Sequence, residues 1–123
     1  MASHFTEFAF GIKDITKEEE LWLVERARSL SEDISTDLWK RGRVFHIYSL
    51  ESAADVEEAA DLAHVFLKRF RPKSVIGFEF SMRCSRPRPG EFGGGAVYIT
   101  NSHIAYMSTA DWLQEQIRDE RDV

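Results

Sequence analysis

The sequence predicts an α+β domain in two layers, a mixed, mostly antiparallel sheet of about five strands with helices on one face. Three observations lead there. Residues 56–70 repeat apolar side chains at helical spacing. Residues 75–82 alternate apolar and polar positions at period two. Two short apolar runs, 96–100 and 103–107, flank Asn101-Ser102 in the manner of a tight hairpin. The expected order is β-α-β-α-β-β-β-α in one domain spanning residues 1–123.

The run His4–Ile12, HFTEFAFGI, puts Phe8, Phe10 and Ile12 on one strand face. Thr16 followed by Glu19 has the spacing of a capping box, so a helix should begin near Lys17 and run to about Leu30. Leu21, Val24, Ala27 and the stem of Arg28 would line its buried side. The next piece, SEDISTDLWKRG, mixes turn formers with Trp39 and reads as an irregular or part-helical connection. Arg43–Ser49, β-branched and aromatic, reads as a second strand. Ser52 with Asp55 three residues on marks the next helix start. Val56, Ala59, Ala60, Ala63, Phe66, Leu67 and Phe70 form its apolar stripe, with acids near its N-terminus and Lys68, Arg69 and Arg71 near its end. Pro72 stops it. In Val75–Met82, Ile76, Phe78, Phe80 and Met82 share one face while Val75, Gly77, Glu79 and Ser81 share the other, as in a sheet covered on one side. Ser108 or Thr109 should cap a last helix carrying Trp112, Leu113 and Gln116 before the charged tail RDERDV.

Composition sets bounds on function. The chain is 43% hydrophobic and 30% charged with nine Phe and three Trp, which is the make-up of a folded globular domain. It has no run of about 18 apolar residues for a membrane span and no basic segment of a signal peptide at its N-terminus. A single cysteine excludes an internal disulfide and fits a cytoplasmic location. The net charge of −5 argues against bulk attraction to nucleic acid. Between Lys68 and Arg88, however, seven basic residues meet one acid, so that stretch is +6 and the remainder −11.

The segment with most chemical character is RCSRPRPGEFGGGAVYIT, residues 83–100. Arg83, Arg86 and Arg88 could hold carboxylates or phosphates through paired hydrogen bonds. Gly93, Gly94 and Gly95 would let backbone N–H groups approach an anion or another chain, and Glu91 could close the loop on its own backbone. Pro87 and Pro89 would stiffen it. It is not a P-loop, since no Gly-Lys-Ser/Thr ends it, and a strand rather than a helix follows. The competing explanation is structural, with glycines marking tight packing and arginines merely solvated.

Cys84 between arginines could carry a reactive thiol, with His46, His64 or His103 as base, but nothing in their spacing joins them. The histidines show no zinc-type spacing, so neither metal nor cofactor is expected. Trp22 and Trp112 should pack on the sheet, whereas Trp39, in WKRGR, should be exposed.

Cys84 through Val97, with S-T-A-D-W-L at 108–113 and FLKRFRPKSVIGFEF at 66–80, resembles a family of small uncharacterised bacterial and bacteriophage proteins. The likeness covers roughly the C-terminal half. It implies a bacterial or phage-infected cytoplasm and supplies no reaction, cofactor or catalytic residue.

Two functions are therefore expected ahead of an enzyme. One is a non-catalytic interaction module, a phage or mobile-element factor that binds and modulates a host protein. The other is a binder of an anionic ligand, a nucleotide or single-stranded nucleic acid, through residues 83–95.

Overall fold

A computed structural model describes residues 4–50, 52–86 and 88–121. Pro87, expected to stiffen the arginine-rich loop, lies outside the described residues, as do Asp122 and Val123 at the end of the charged tail. The elements run β1 (His4–Ile12), α1 (Lys17–Ala27), β2 (Ser35–Trp39), β3 (Val44–Ser49), α2 (Val56–Phe70), β4 (Ile76–Cys84), β5 (Gly93–Ile99), β6 (Ile104–Ser108) and α3 (Thr109–Arg121). The α+β class and the order of the expected elements hold. Among the described residues the sheet has six strands in the order β2-β3-β1-β4-β5-β6, rather than about five, and each neighbouring pair is antiparallel. No helix among the described residues is long and apolar enough to cross a membrane.

The extra strand is β2, in the stretch expected to be irregular. It is short and interrupted by Asp37, and its flanks are turn formers, so local signals are weak. Pairing with β3 supplies what they lack, setting Leu38 opposite Phe45 and Thr36 opposite Ile47. β1 is the hinge of the sheet. Its first half pairs with β4, His4 to Cys84 through Phe8 to Phe80. Its second half pairs with β3, Phe8 to Ser49 through Ile12 to Phe45.

The core lies between one sheet face and helices α1 and α2. Phe8, Phe10, Ile12, Phe45, Ile47, Phe78, Val97 and Ile99 are buried from the sheet side. Phe10 and Phe78 stack with ring centroids 4.4 Å apart. α2 buries Ala59, Ala60, Leu62, Ala63, Phe66 and Leu67, with Val56 and Phe70 partly buried at its ends, as its stripe requires. Its N-cap is Asp55, whose side chain accepts from the Glu57 amide at 2.9 Å, not Ser52. The Ser52 hydroxyl instead serves the loops, donating to the Asp33 carbonyl and contacting the Ser49 hydroxyl.

In α1 the capping box forms as expected, but the buried face does not match. Glu19 and Leu23 are buried, while Leu21 is 61% exposed and Val24 is also exposed. The stripe Glu19-Leu23-Ala27 runs at i, i+4, i+8 and opens with a carboxylate, so an apolar count overlooks it. What makes the burial of Glu19 tolerable is Arg71 at the end of α2. Its guanidinium donates through Nε to Oε2 at 2.9 Å and through Nη2 to Oε1 at 3.0 Å. Burial pushes the Glu19 carboxyl up, but the hydrogen bonds from Arg71 and Thr16 and the charge of Arg71 more than offset it, so the group sits below the ordinary carboxylate range. Trp22, expected to pack on the sheet, instead sits edge-on against Phe70 and beside Phe66, both on α2.

α3 departs from expectation. Ser108 accepts from the Asp111 amide at its start, but Trp112 is 58% exposed, with Leu113 and Ile117 also out in solvent. Following the edge strand β6, this helix has too little neighbouring sheet to cover its apolar side.

Candidate functional site

The strands flanking the arginine- and glycine-rich segment are longer than expected. β4 continues through Arg83 to Cys84, and β5 begins at Gly93, so the connecting turn is 85–92. Arg83 is thus a strand residue opposite Phe5 on β1. Its Nε donates to Glu7 Oε1 at 2.8 Å, and its guanidinium lies 4.5 Å from the centre of the Phe5 ring. Arg88 Nε stands 3.9 Å from Glu91 Oε2. Arg86 is exposed in the turn.

The three glycines are ladder residues, paired with Met82, Ser81 and Phe80. A Cβ on Gly94 would meet the Phe80 carbonyl oxygen at 2.5 Å, and one on Gly95 would run into the Met107 carbonyl oxygen of β6. Close packing of β5 between β4 and β6 accounts for both residues. Gly90 differs. It turns the chain at φ 78° in open space.

A second feature emerges only from the assembled sheet. The face opposite α1 and α2 carries Trp39, His46 and Tyr48 toward the β2 edge, Phe5, Glu7 and Ala9 at the centre, and Gly77, Ala96, Tyr98 and Met107 toward the β6 edge. This follows from strand alternation in the observed registers. Two shallow depressions lie there. One, of about 470 Å³, has a floor of Gly77, Ala96 and Ala105, with Glu79, Tyr98 and Met107 around it. The other, of about 550 Å³, is bounded by Trp39, His46, Tyr48 and Leu50. No helix residue lines either one. Trp39, expected to be exposed, is 56% exposed, with its ring centroid 3.7 Å from that of His46. His46 Nε2 is buried without a hydrogen-bond partner. Among the described residues this face carries the carboxylates of Asp37 and Glu79, together with the Glu7–Arg83 ion pair.

The turn also gathers a cluster that sequence spacing does not reveal. His4 and Cys84 are register partners across β1 and β4, and Glu91 folds over them. His4 Nε2 is 3.7 Å from Glu91 Oε1, and the ligand atoms of His4, Cys84 and Glu91 all lie within 4.8 Å of one another. Cys84 is buried, and Glu91 Oε2 is buried without a hydrogen-bond partner among the described residues. Eighty residues separate His4 from Cys84, so only strand pairing makes the group. None of the histidines considered as a base for Cys84 is placed to serve it. His46 is on the opposite sheet face, His64 Nε2 contacts the Asn101 carbonyl at 3.2 Å, and His103 lies in the β5–β6 turn at the far end of β4.

No protein-family model matches the chain, and no curated protein or solved structure matches it either.

Proposed function

We propose that the chain is a non-catalytic interaction module that binds a protein partner through the uncovered face of its sheet. The observation carrying this is a sheet face opposite α1 and α2 whose two depressions are lined by no helix residue, with Trp39, Tyr48, Tyr98 and Met107 exposed around them. Aromatic and methionine side chains over small residues give apolar contact area at little conformational cost, which is the make-up of binding hot spots. Six strands at about 4.8 Å spacing and about 20 Å length span roughly 570 Å² of flat area, close to one side of a standard interface once side-chain relief is added. The carboxylates of Asp37 and Glu79 favour a partner that brings basic groups to an apolar contact. We read that partner as a host protein on the expectation that residues 84–97 resemble a family of small uncharacterised bacterial and bacteriophage proteins.

The alternative, an anionic ligand held by Arg83, Arg86, Arg88, Glu91 and Gly93–Gly95, has less support. Arg83 is engaged by Glu7, Arg88 faces Glu91, and Gly94 and Gly95 are closed off by neighbouring strands.

Affinity capture from bacterial lysate with matched variants tests the proposal. A stoichiometric partner should be retained by Arg86→Ala/Arg88→Ala and lost by Tyr98→Glu/Met107→Glu. Retention by the second variant and loss by the first would transfer the site to the turn.

A further inference from the structure

We propose that His4, Cys84 and Glu91 form a binding site for a thiophilic divalent metal ion, Zn²⁺ under cellular conditions, that clips the start of β1 to the end of β4 and to the turn 85–92.

The donor set is one imidazole nitrogen, one sulfur and one carboxylate oxygen. Zn²⁺ accepts all three, whereas Mg²⁺ and Ca²⁺ require oxygen ligands. The geometry is close to what the ion demands. Bonds of about 2.0–2.3 Å at tetrahedral angles put ligand atoms roughly 3.3–3.6 Å apart. The His4–Glu91 separation of 3.7 Å already approaches this, and the cluster's outer limit of 4.8 Å requires about 1 Å of contraction. That contraction is available to Glu91, which sits in a turn, and to His4, which is exposed at the first described residue of β1. Glu91 Oε2 supplies an independent sign, since it is buried with no hydrogen-bond partner among the described residues, and such a carboxylate oxygen is costly unless a cation meets it. Arg88 Nε at 3.9 Å is beyond hydrogen-bond reach and offers charge alone.

Three protein ligands leave the fourth tetrahedral position to water or to a side chain from a bound partner. Binding converts the Cys84 thiol to a metal-bound thiolate and releases its proton to solvent. Cys84 and His4 face the helix-bearing side of the sheet, so this site and the proposed partner surface stand or fall separately.

The test uses untagged, chelator-treated full chain titrated with Co²⁺ as the spectroscopic probe. The expected result is 1:1 binding with a sulfur-to-cobalt charge-transfer band in the near ultraviolet and the visible bands of four-coordinate cobalt, all removed by added Zn²⁺. Cys84→Ser should abolish the charge-transfer band. Because Cys84 is buried and that variant could misfold, His4→Ala and Glu91→Gln carry equal weight. Each should weaken Co²⁺ binding at least about tenfold, with an unchanged circular dichroism spectrum. Zn²⁺ should raise the wild-type Tm by clearly more than it raises that of His4→Ala at the same concentration. Absence of the charge-transfer band, or affinities unchanged in both His4→Ala and Glu91→Gln, would overturn the proposal.

Discussion

Replacing Arg71 by alanine should be among the most damaging single changes a polar residue of this chain can undergo. Arg71 joins the end of α2 to α1 and to the connection before it. It donates twice to Glu19, at 2.9 and 3.0 Å, once to the Asp14 carbonyl at 3.1 Å, and lies 5.4 Å from the centre of the Phe66 ring. Removing it leaves the Glu19 carboxylate, whose side chain is 6% exposed, with the Thr16 amide as its remaining hydrogen-bond partner. Breaking a buried ion pair in this way costs about 3–5 kcal/mol. Arg71 is itself a quarter exposed, so water can enter the gap, and the lower end applies, about 3 kcal/mol. For a domain of this size that is a fall of about 10–15 °C in Tm. Urea denaturation followed by tryptophan fluorescence would measure it, since Trp22 sits against Phe66 and Phe70. The loss should also depend on pH. Because the folded Glu19 carboxyl lies below its ordinary range, the pair's contribution is complete above the ordinary glutamate pKa and is lost as the pH falls through the lower, folded value. Glu19→Gln placed in the Arg71→Ala background should recover part of the deficit by removing the stranded charge. A loss under about 1 kcal/mol at pH 7, or one that grows on acidification, would refute this account of the pair.

Two other expectations concern packing. Gly95→Ala forces a methyl group into the Met107 carbonyl and to 3.0 Å from Phe80 Cζ, so β6 must shift, at a cost of about 2–3 kcal/mol by urea denaturation. Gly90→Ala, in open space but at positive φ, should cost only about 1 kcal/mol, and equal losses at the two sites would contradict the packing argument. Leu23→Ala should destabilise by about 2–5 kcal/mol, while Leu21→Ala stays within about 0.5 kcal/mol, and the reverse order would mean α1 presents its other face to the core.

Long periodic segments were legible in the sequence. The stripe of α2 and the alternation of β1 and β4 follow from side chains whose burial is decided by their own spacing. β2 was not legible, because Thr36 and Leu38 become strand residues only by pairing with β3. The buried side of α1 was misjudged for a related reason, since Glu19 earns a core position only through an arginine 52 residues away. In the arginine- and glycine-rich segment the residue types stood out, yet their placement depended on strand length. Extending β4 to Cys84 turned Arg83 into a sheet residue, and starting β5 at Gly93 made the glycine run part of the ladder. The clustering of His4, Cys84 and Glu91, like the open face formed by β2 through β6, belongs to strand order, on which local periodicity is silent.

The central claim, that the exposed sheet face receives a protein partner, is tested most directly by hydroxyl-radical footprinting of the free chain and of its captured complex. Trp39, Tyr48, Tyr98 and Met107 should lose reactivity in the complex while Phe92 in the turn and Trp112 on α3 keep theirs. Protection confined to Phe92 or Trp112, with the four sheet residues as reactive as in the free chain, would contradict it.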